Sequence, residues 1–232
     1  MSMTASLGTT REVRHPRAVR LAHWVNTVAF LALVVSGVGI LLAHPRFYWG
    51  ETGYFDTPAA FELPLAVDKS HTWWGRNVHF LAAWVTAFNG LVYVAWGLAA
   101  GHFVRRLVPT RAELGPPHIV SVIRDHLRFR IPHHASGYNV LQKVAYFGVV
   151  FVLLPITILT GLTMSPGITA AFPQLFTLCG GRQSARTIHF VVANVLVLFV
   201  LVHLAMIGLA GFGPTVASMV TGRDSRRPEE PT

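Results

Sequence analysis

Charge is what this sequence has least of. Only 12% of its 232 residues are Asp, Glu, Lys or Arg, about half the share of an ordinary soluble domain. Hydrophobic residues make up 52% and mean hydropathy is +0.48, so a water-soluble globule is excluded. The 15 Phe, 6 Trp and 5 Tyr equally exclude a solvated, disordered chain. A single cysteine forbids an internal disulfide framework. No Cys-x-x-Cys or Cys-x-x-Cys-His occurs, which excludes covalent c-type haem attachment. Against these absences stand 12 histidines, many for so apolar a chain.

The missing charge also has a pattern. No Asp, Glu, Lys or Arg occurs over 21–45, 77–104, 144–181 or 187–222. Each run holds the roughly 20 apolar residues that cross a bilayer's hydrocarbon core. Spans are expected near 21–43, 77–101, 143–164 and 187–211, as helices, because backbone polar groups in lipid must be satisfied within the segment. The first run is too long for the apolar core of a cleavable signal peptide. The fold class expected is all-α, an integral membrane four-helix bundle forming one domain over 1–232. Pro155 is expected to kink the third span. Around 118–130, Ile119, Val122, Ile123 and Leu127 recur at helical spacing among basic residues. That stretch reads as an amphipathic helix on the membrane surface, with a solvated basic loop as the alternative. The connection 44–75 is rich in aromatic, Pro and Gly residues and is expected to be an ordered interfacial loop.

The basic residues gather on one side of the predicted bundle. Arg11, Arg14, Arg17 and Arg20 lie in the N-terminal arm. Arg105, Arg106, Arg111, Arg124, Arg128 and Arg130 lie in the second connection, and Arg223, Arg226 and Arg227 in the tail. The opposite first connection carries Glu51, Asp56, Glu62 and Asp68. The positive-inside rule places both termini in the cytoplasm of a multi-pass protein. The net charge of +9 is then a statement of orientation, and no nucleic-acid partner is expected.

Eight histidines (15, 44, 71, 102, 118, 126, 133 and 134) fall in connections or at span ends, where imidazole is ordinary. His23, His79, His189 and His203 remain within the spans. His189 and His203 differ by about 40° in azimuth and about 21 Å in height on an ideal helix. With antiparallel spans, His79 matches His189 near the outer side, and His23 matches His203 near the inner side. Either could merely hydrogen-bond a neighbouring helix. As facing pairs, they supply what a low-spin b-type haem requires, two neutral imidazoles on opposite faces of the iron. All ten carboxylates lie outside the spans. That excludes a di-iron site of the Glu-x-x-His kind and counts against a proton-coupled transporter. Cys179 alone cannot build a thiolate site.

Arg20, Arg76 and Arg186 each precede one of these histidines by three residues, on the same helix face and one turn nearer water. They suit haem propionates, or anchor helix ends. Gly37, Gly39, Gly90, Gly97 and Gly208 would allow a macrocycle close to the backbone, or ordinary close helix packing.

The segments Arg20-Leu-Ala-His23-Trp24-Val-Asn26, Gly75-Arg76-Asn-Val-His79-Phe80 and Arg186-Thr-Ile-His189 with His203 resemble the bacterial di-haem cytochrome b561 superfamily. That group includes the membrane subunits of formate dehydrogenase, nickel-iron hydrogenase and thiosulfate reductase, and the likeness is greatest to the thiosulfate reductase cytochrome b type. It covers roughly residues 12–215. The resemblance implies a bundle enclosing two non-covalent b haems, the outer held by His79 and His189 and the inner by His23 and His203. It implies electron transfer in the bacterial inner membrane between quinone or quinol and a periplasmic molybdopterin-dependent oxidoreductase. The start of the third span, Tyr138-Asn139-Val-Leu-Gln142-Lys143, resembles a quinone-side motif, which makes Asn139 a candidate quinone contact; helix capping is its other reading. Where the formate dehydrogenase type has a glycine, this chain has Leu141. A stand-alone cytochrome b561 acting as a superoxide:quinone oxidoreductase is the enzyme alternative. A ligand-free membrane anchor is the third.

Overall fold

The computed structural model of the chain describes residues 15–53, 57–110, 112–113, 115–127 and 140–222. Four helical segments are long and apolar enough to cross a membrane: Arg17–Ala43, Trp73–Ala99, Val140–Met164 and Arg182–Leu209. The first is helix α1 (Arg17–Ala43), the second lies in α2 (Thr72–Ala99) and the fourth is α9 (Arg182–Leu209). At 27 or 28 residues each is about 40 Å long, against a hydrocarbon core of about 30 Å. The surplus explains why the helices begin before the charge-free runs. Arg17, Arg20, Arg76, Arg182 and Arg186 occupy first turns that extend towards headgroups, where a guanidinium finds water or loop carbonyls.

The third span is built from three pieces, α5 (Val140–Gly148), a π-helical turn (Val149–Leu153) and α6 (Leu154–Met164). Pro155 sits at the start of α6. It has no N–H to offer the carbonyl four residues back, and its ring crowds that carbonyl. The widened turn absorbs the misfit inside a continuous helix. The expected kink site thus takes the form of a π turn.

Short elements connect the spans. After α1 comes a hairpin of β1 (Arg46–Phe47) and β2 (Phe61–Glu62), paired Arg46↔Glu62 and Phe47↔Phe61. Strands of two residues are too short to show an alternating pattern in sequence. After α2 come α3 (His102–Arg106) and α4 (Pro116–Leu127), the latter where the surface helix was expected. Positions 128–130 lie outside the described residues. Two short helices, α7 (Pro166–Ala171) and α8 (Gln174–Cys179), lead into α9, and α10 (Phe212–Thr221) follows it. The hairpin, α7 and α8 share one end of the bundle, called here the hairpin end. The starts of α1 and α5 and the end of α9 lie at the other, the terminal end.

The spans pack as two close pairs, α1 with α2 and α6 with α9. Along α1, the buried Ala22, Ala29, Ser36 and Ala43 recur every seven residues. Facing them on α2 are Gly75, Ala82 and Asn89, at the same interval. A side chain on Gly75 would meet the Ser36 carbonyl at 3.4 Å, and Asn89 Nδ2 donates to the Ala22 carbonyl at 2.9 Å. Small residues let the backbones approach, which in lipid supplies dispersion that burial cannot. Large side chains such as Leu21, Val28, Leu81 and Leu198 are exposed, which costs nothing in an apolar solvent.

At the terminal end the link before the third span is pinned by one ion pair. Lys143 Nζ lies 2.8 Å and 2.9 Å from the two carboxylate oxygens of Glu113, and the Thr110 N–H donates to the same group at 2.7 Å. These donors pull the Glu113 carboxyl down from 4.5 to about 2, the Lys143 bond being the larger cause. A depressed pKa stabilises the fold fully above the ordinary carboxylate value and progressively less as pH falls through 4.5 towards 2. Glu113→Gln is therefore expected to lower thermal stability at neutral pH by about 1 kcal/mol, discounted for partial exposure. The difference from wild type should shrink as pH falls below 4.5 and vanish only below about 2, and melting curves of the detergent-solubilised pair across pH check this.

Candidate functional site

The gap between the two helix pairs is bridged by imidazoles. His79 on α2 faces His189 on α9 with ring centres 6.2 Å apart, at an interplanar angle of 63°. His23 on α1 faces His203 on α9 at 6.4 Å and 55°. The first pair lies towards the hairpin end and the second towards the terminal end. The four histidines singled out by depth are thus brought together in the expected combinations.

Spacing says what fits between them. An imidazole nitrogen binds a metal at about 2.0 Å and lies about 1.1 Å from its ring centre, so rings on opposite sides of one ion have centres about 6.2 Å apart. Both pairs stand at that separation. Among the described residues no cluster of three or more His, Cys, Asp or Glu gathers. A metal here would take only two ligands from the protein, which suits an ion that brings its equatorial ligands with it.

Hydrogen bonds fix how the hairpin-end rings are presented. Ser36 Oγ lies 3.0 Å from His79 Nδ1 and donates its one proton to the Ala32 carbonyl at 2.6 Å. Towards His79 the hydroxyl can therefore only accept, so Nδ1 carries the ring proton. The backbone of Leu33 is a further partner of this ring. On the other side, His189 Nδ1 lies 3.0 Å from the Thr157 carbonyl and 3.1 Å from Thr160 Oγ1. Thr160 in turn donates to the Ile156 carbonyl at 2.8 Å. A carbonyl cannot donate, so His189 is also protonated at Nδ1. Both rings keep Nε2 for a ligand, the arrangement that outer hydrogen bonds impose on metal-binding histidines.

The two sides are copies of one another. Arg76-Asn-Val-His79-Phe80 corresponds to Arg186-Thr-Ile-His189-Phe190, and Ser36-Gly37 to Thr160-Gly161. A side chain on Gly37 would lie 3.6 Å from His79 Cε1, and one on Gly161 3.5 Å from His189 Cε1. Each glycine leaves the edge of its imidazole bare. Of these, only Gly37 was picked out from sequence, and Ser36 and Thr160 were not. The signal that could have found them is a Ser/Thr-Gly dipeptide recurring in the last third of two spans.

The terminal-end pair is lined differently. Trp24 meets His23 edge-on at 5.3 Å, while Phe199 stacks on His203 at 6.0 Å and Tyr146 approaches it edge-on at 6.4 Å. His23 Nδ1 is buried with no hydrogen-bond partner among the described residues. Asn139 lies outside the described residues.

The three arginines have different partners. Arg186 Nη2 donates to the carbonyls of His44 and Arg46 at 2.6 and 2.7 Å, and its guanidinium lies 4.9 Å from the centre of the Phe47 ring. Arg20 bonds the Val220 carbonyl, tying the start of α1 to α10. Arg76 is exposed on the first turns of α2. Around Arg186 the first connection is sealed onto the hairpin end. Phe47 stacks on Phe61 at 4.7 Å and lies 4.4 Å from Phe190, the residue after His189. The Gly50 carbonyl accepts the N–H groups of Gln183 and Ser184 at 2.9 and 3.2 Å, capping the start of α9. Thr187 Oγ1 donates to the Tyr48 carbonyl at 2.7 Å. Gly181 has φ +101°, and a side chain there would strike the Gly50 backbone.

Fold and site define a class: an all-helical, four-span membrane protein that stacks two histidine pairs between its helices. A family model for prokaryotic cytochrome b561 matches residues 14–222. The chain is 33% identical over 214 residues to a putative protein-methionine-sulfoxide reductase subunit, YedZ1, of Azospira oryzae, covering 90% of this chain and 96% of that one. It is 29% identical over 217 residues to a probable Ni/Fe-hydrogenase B-type cytochrome subunit of Cupriavidus necator, covering 88% and 83%. A probable subunit of the same kind from Bradyrhizobium diazoefficiens is 26% identical over 196 residues, covering 80% and 73%. The chain belongs to the prokaryotic cytochrome b561 family. It is a b-type haem protein of membrane electron transport, and its residues fit the group by ring spacing at both pairs and by tautomer at the hairpin end.

The seal at the hairpin end can be tested directly. Thr187 is 1% exposed, and Thr187→Val would leave the Tyr48 carbonyl buried without its donor. A loss of about 1–3 kcal/mol is expected. Hydrogen exchange of detergent-solubilised protein should show faster exchange at residues 44–53, with the centre of α2 unchanged.

Proposed function

We propose that the chain carries electrons across the bacterial inner membrane, between the quinone pool and a redox partner at the hairpin end. The supporting observation is the presence of two histidine pairs, one above the other, each at the spacing of ligands on opposite sides of one iron. His79 and His189 would hold the haem at the hairpin end, and His23 and His203 the haem at the terminal end. Each bound haem supplies a one-electron ferric/ferrous couple. The protein's part is to hold Nε2 of each ring in place, keep Nδ1–H hydrogen-bonded at the hairpin end, and exclude water with apolar helices. Arg76, exposed one turn above His79, would meet a propionate, as would Arg20 beside His23. Arg186 would act chiefly by pinning the Phe47 loop over the site.

The basic residues support an orientation with both termini in the cytoplasm, which puts the hairpin end outside. Quinone would be handled near the terminal-end pair, with Asn139 as a contact. The partner outside would be a molybdopterin-dependent oxidoreductase. The relative from Azospira oryzae, a reductase subunit by name, supports a multi-subunit setting.

Haem quantitation with a redox titration tests the assignment. Wild type should hold two b haems with separate midpoints. His79→Ala and His189→Ala should each lose the same haem, and His23→Ala and His203→Ala the other. If His79→Ala and His203→Ala lost one haem in common, the pairing would be wrong. Superoxide-dependent reduction of quinone by the isolated chain would make it an enzyme in its own right, and co-purification with a molybdoenzyme would support the subunit reading.

A further inference from the structure

The hydroxyls of Ser36 and Thr160 are not needed by their own helices. Each bonds back to the carbonyl four residues earlier, a contact that slightly weakens a helix and often bends it. Alanine would serve α1 or α6 better at either position. Yet a hydroxyl stands at the corresponding place in both helix pairs. Each is followed by a glycine that bares the imidazole edge, and each meets Nδ1 of the facing histidine within 3.1 Å. Because the hydroxyl proton is already committed to a carbonyl, what each oxygen offers the ring is a lone pair, beside the backbone acceptor that each ring also has, Leu33 for His79 and Thr157 for His189. Donating to a carbonyl also makes that oxygen a better acceptor. His23, in the other pair, has no such partner among the described residues.

An acceptor on Nδ1–H pushes electron density into the ring and makes Nε2 a stronger base. A more basic axial ligand favours ferric over ferrous iron and lowers the midpoint. We infer that Ser36 and Thr160 are matched positioning residues that act through His79 and His189 to hold down the potential of the hairpin-end haem. The inference rests on the ligand assignment proposed above. The matched geometry implies that the two contribute alike, one through each face of the iron.

The test is a redox titration of the full chain in detergent, with both haems quantified. Ser36→Ala and Thr160→Val should each retain two haems and raise one midpoint only. The shift in ferric/ferrous ratio should be several-fold, up to about tenfold, the latter being 59 mV for a one-electron couple. The double variant should shift by about the sum. Ser36→Thr and Thr160→Ser keep the oxygen and should restore the wild-type midpoint. The terminal-end haem is the internal control, since a general loosening of the bundle would move both midpoints. If removing a hydroxyl costs the haem itself, Ser36→Cys and Thr160→Cys keep the volume with a weaker acceptor, and a smaller upward shift is then expected. Two retained haems with unmoved midpoints, a downward shift, or equal shifts in the oxygen-retaining variants would overturn the inference while leaving the ligand assignment standing. A wild-type chain without haem, or one whose haem survives both His79→Ala and His189→Ala, would instead remove the assignment.

Discussion

Inside a bilayer no water takes up an unmet N–H, so a polar group in a span gains most from a partner within the protein. Most of this structure follows from that constraint. Thr27, Ser36, Thr157, Thr160 and Thr163 all return their hydroxyl protons to carbonyls three or four residues back. Asn194 donates to the Phe190 carbonyl, and Asn89 crosses to that of Ala22. A side chain that has spent its proton locally has only acceptor capacity left for a neighbour. Imidazole is the side chain that can use it, because one ring nitrogen donates while the other stays available. The tautomer of the hairpin-end histidines is thus decided by backbone bonds one helix away.

The two helix pairs convert that local accounting into a site. Small residues draw α1 and α2 together, and Asn89 bonds across the seam to the Ala22 carbonyl. Between the pairs the imidazoles face one another, with ring centres 6.2 and 6.4 Å apart. The internal repeat is complete only at the hairpin end, where α2 and α9 contribute matching arginine, histidine and phenylalanine. At the terminal end α9 pairs with α1 instead. The third span presents Tyr146, on α5 before the π turn, to His203 rather than a histidine of its own. The asymmetry makes the two pairs chemically distinct although one helix serves both.

Much of this was legible in the sequence because the membrane enforces simple rules. Charge-free runs located four spans to within a turn or so, the error being first turns that carry Arg17, Arg76 or Arg182 beyond the hydrocarbon. Helical rise along α9 was enough to pair His189 with His79 and His203 with His23. Other features depend on contacts between distant segments. Arg186 reads in sequence as a propionate ligand, but the structure commits it to the His44 and Arg46 carbonyls and to Phe47. The two-residue strands of the hairpin are too short to carry a periodicity. Ser36 and Thr160 look like ordinary small residues in apolar helices until the facing histidines are in place. Asn139 is outside the described residues, so its quinone role stays with the resemblance that suggested it.

The loop over the hairpin end links the site to whatever approaches it. Phe47 is 2% exposed and shares an aromatic stack with Phe61 and Phe190, so the roof belongs to the same packing unit as His189. Arg186 sits at the junction, holding two loop carbonyls while its helix carries the histidine one turn below. A force that lifted the loop would have to break those bonds, the Thr187–Tyr48 bond and the Gly50 cap on α9 together, since all four converge on the first turns of one helix. The roof is therefore tied to the start of the helix that carries His189.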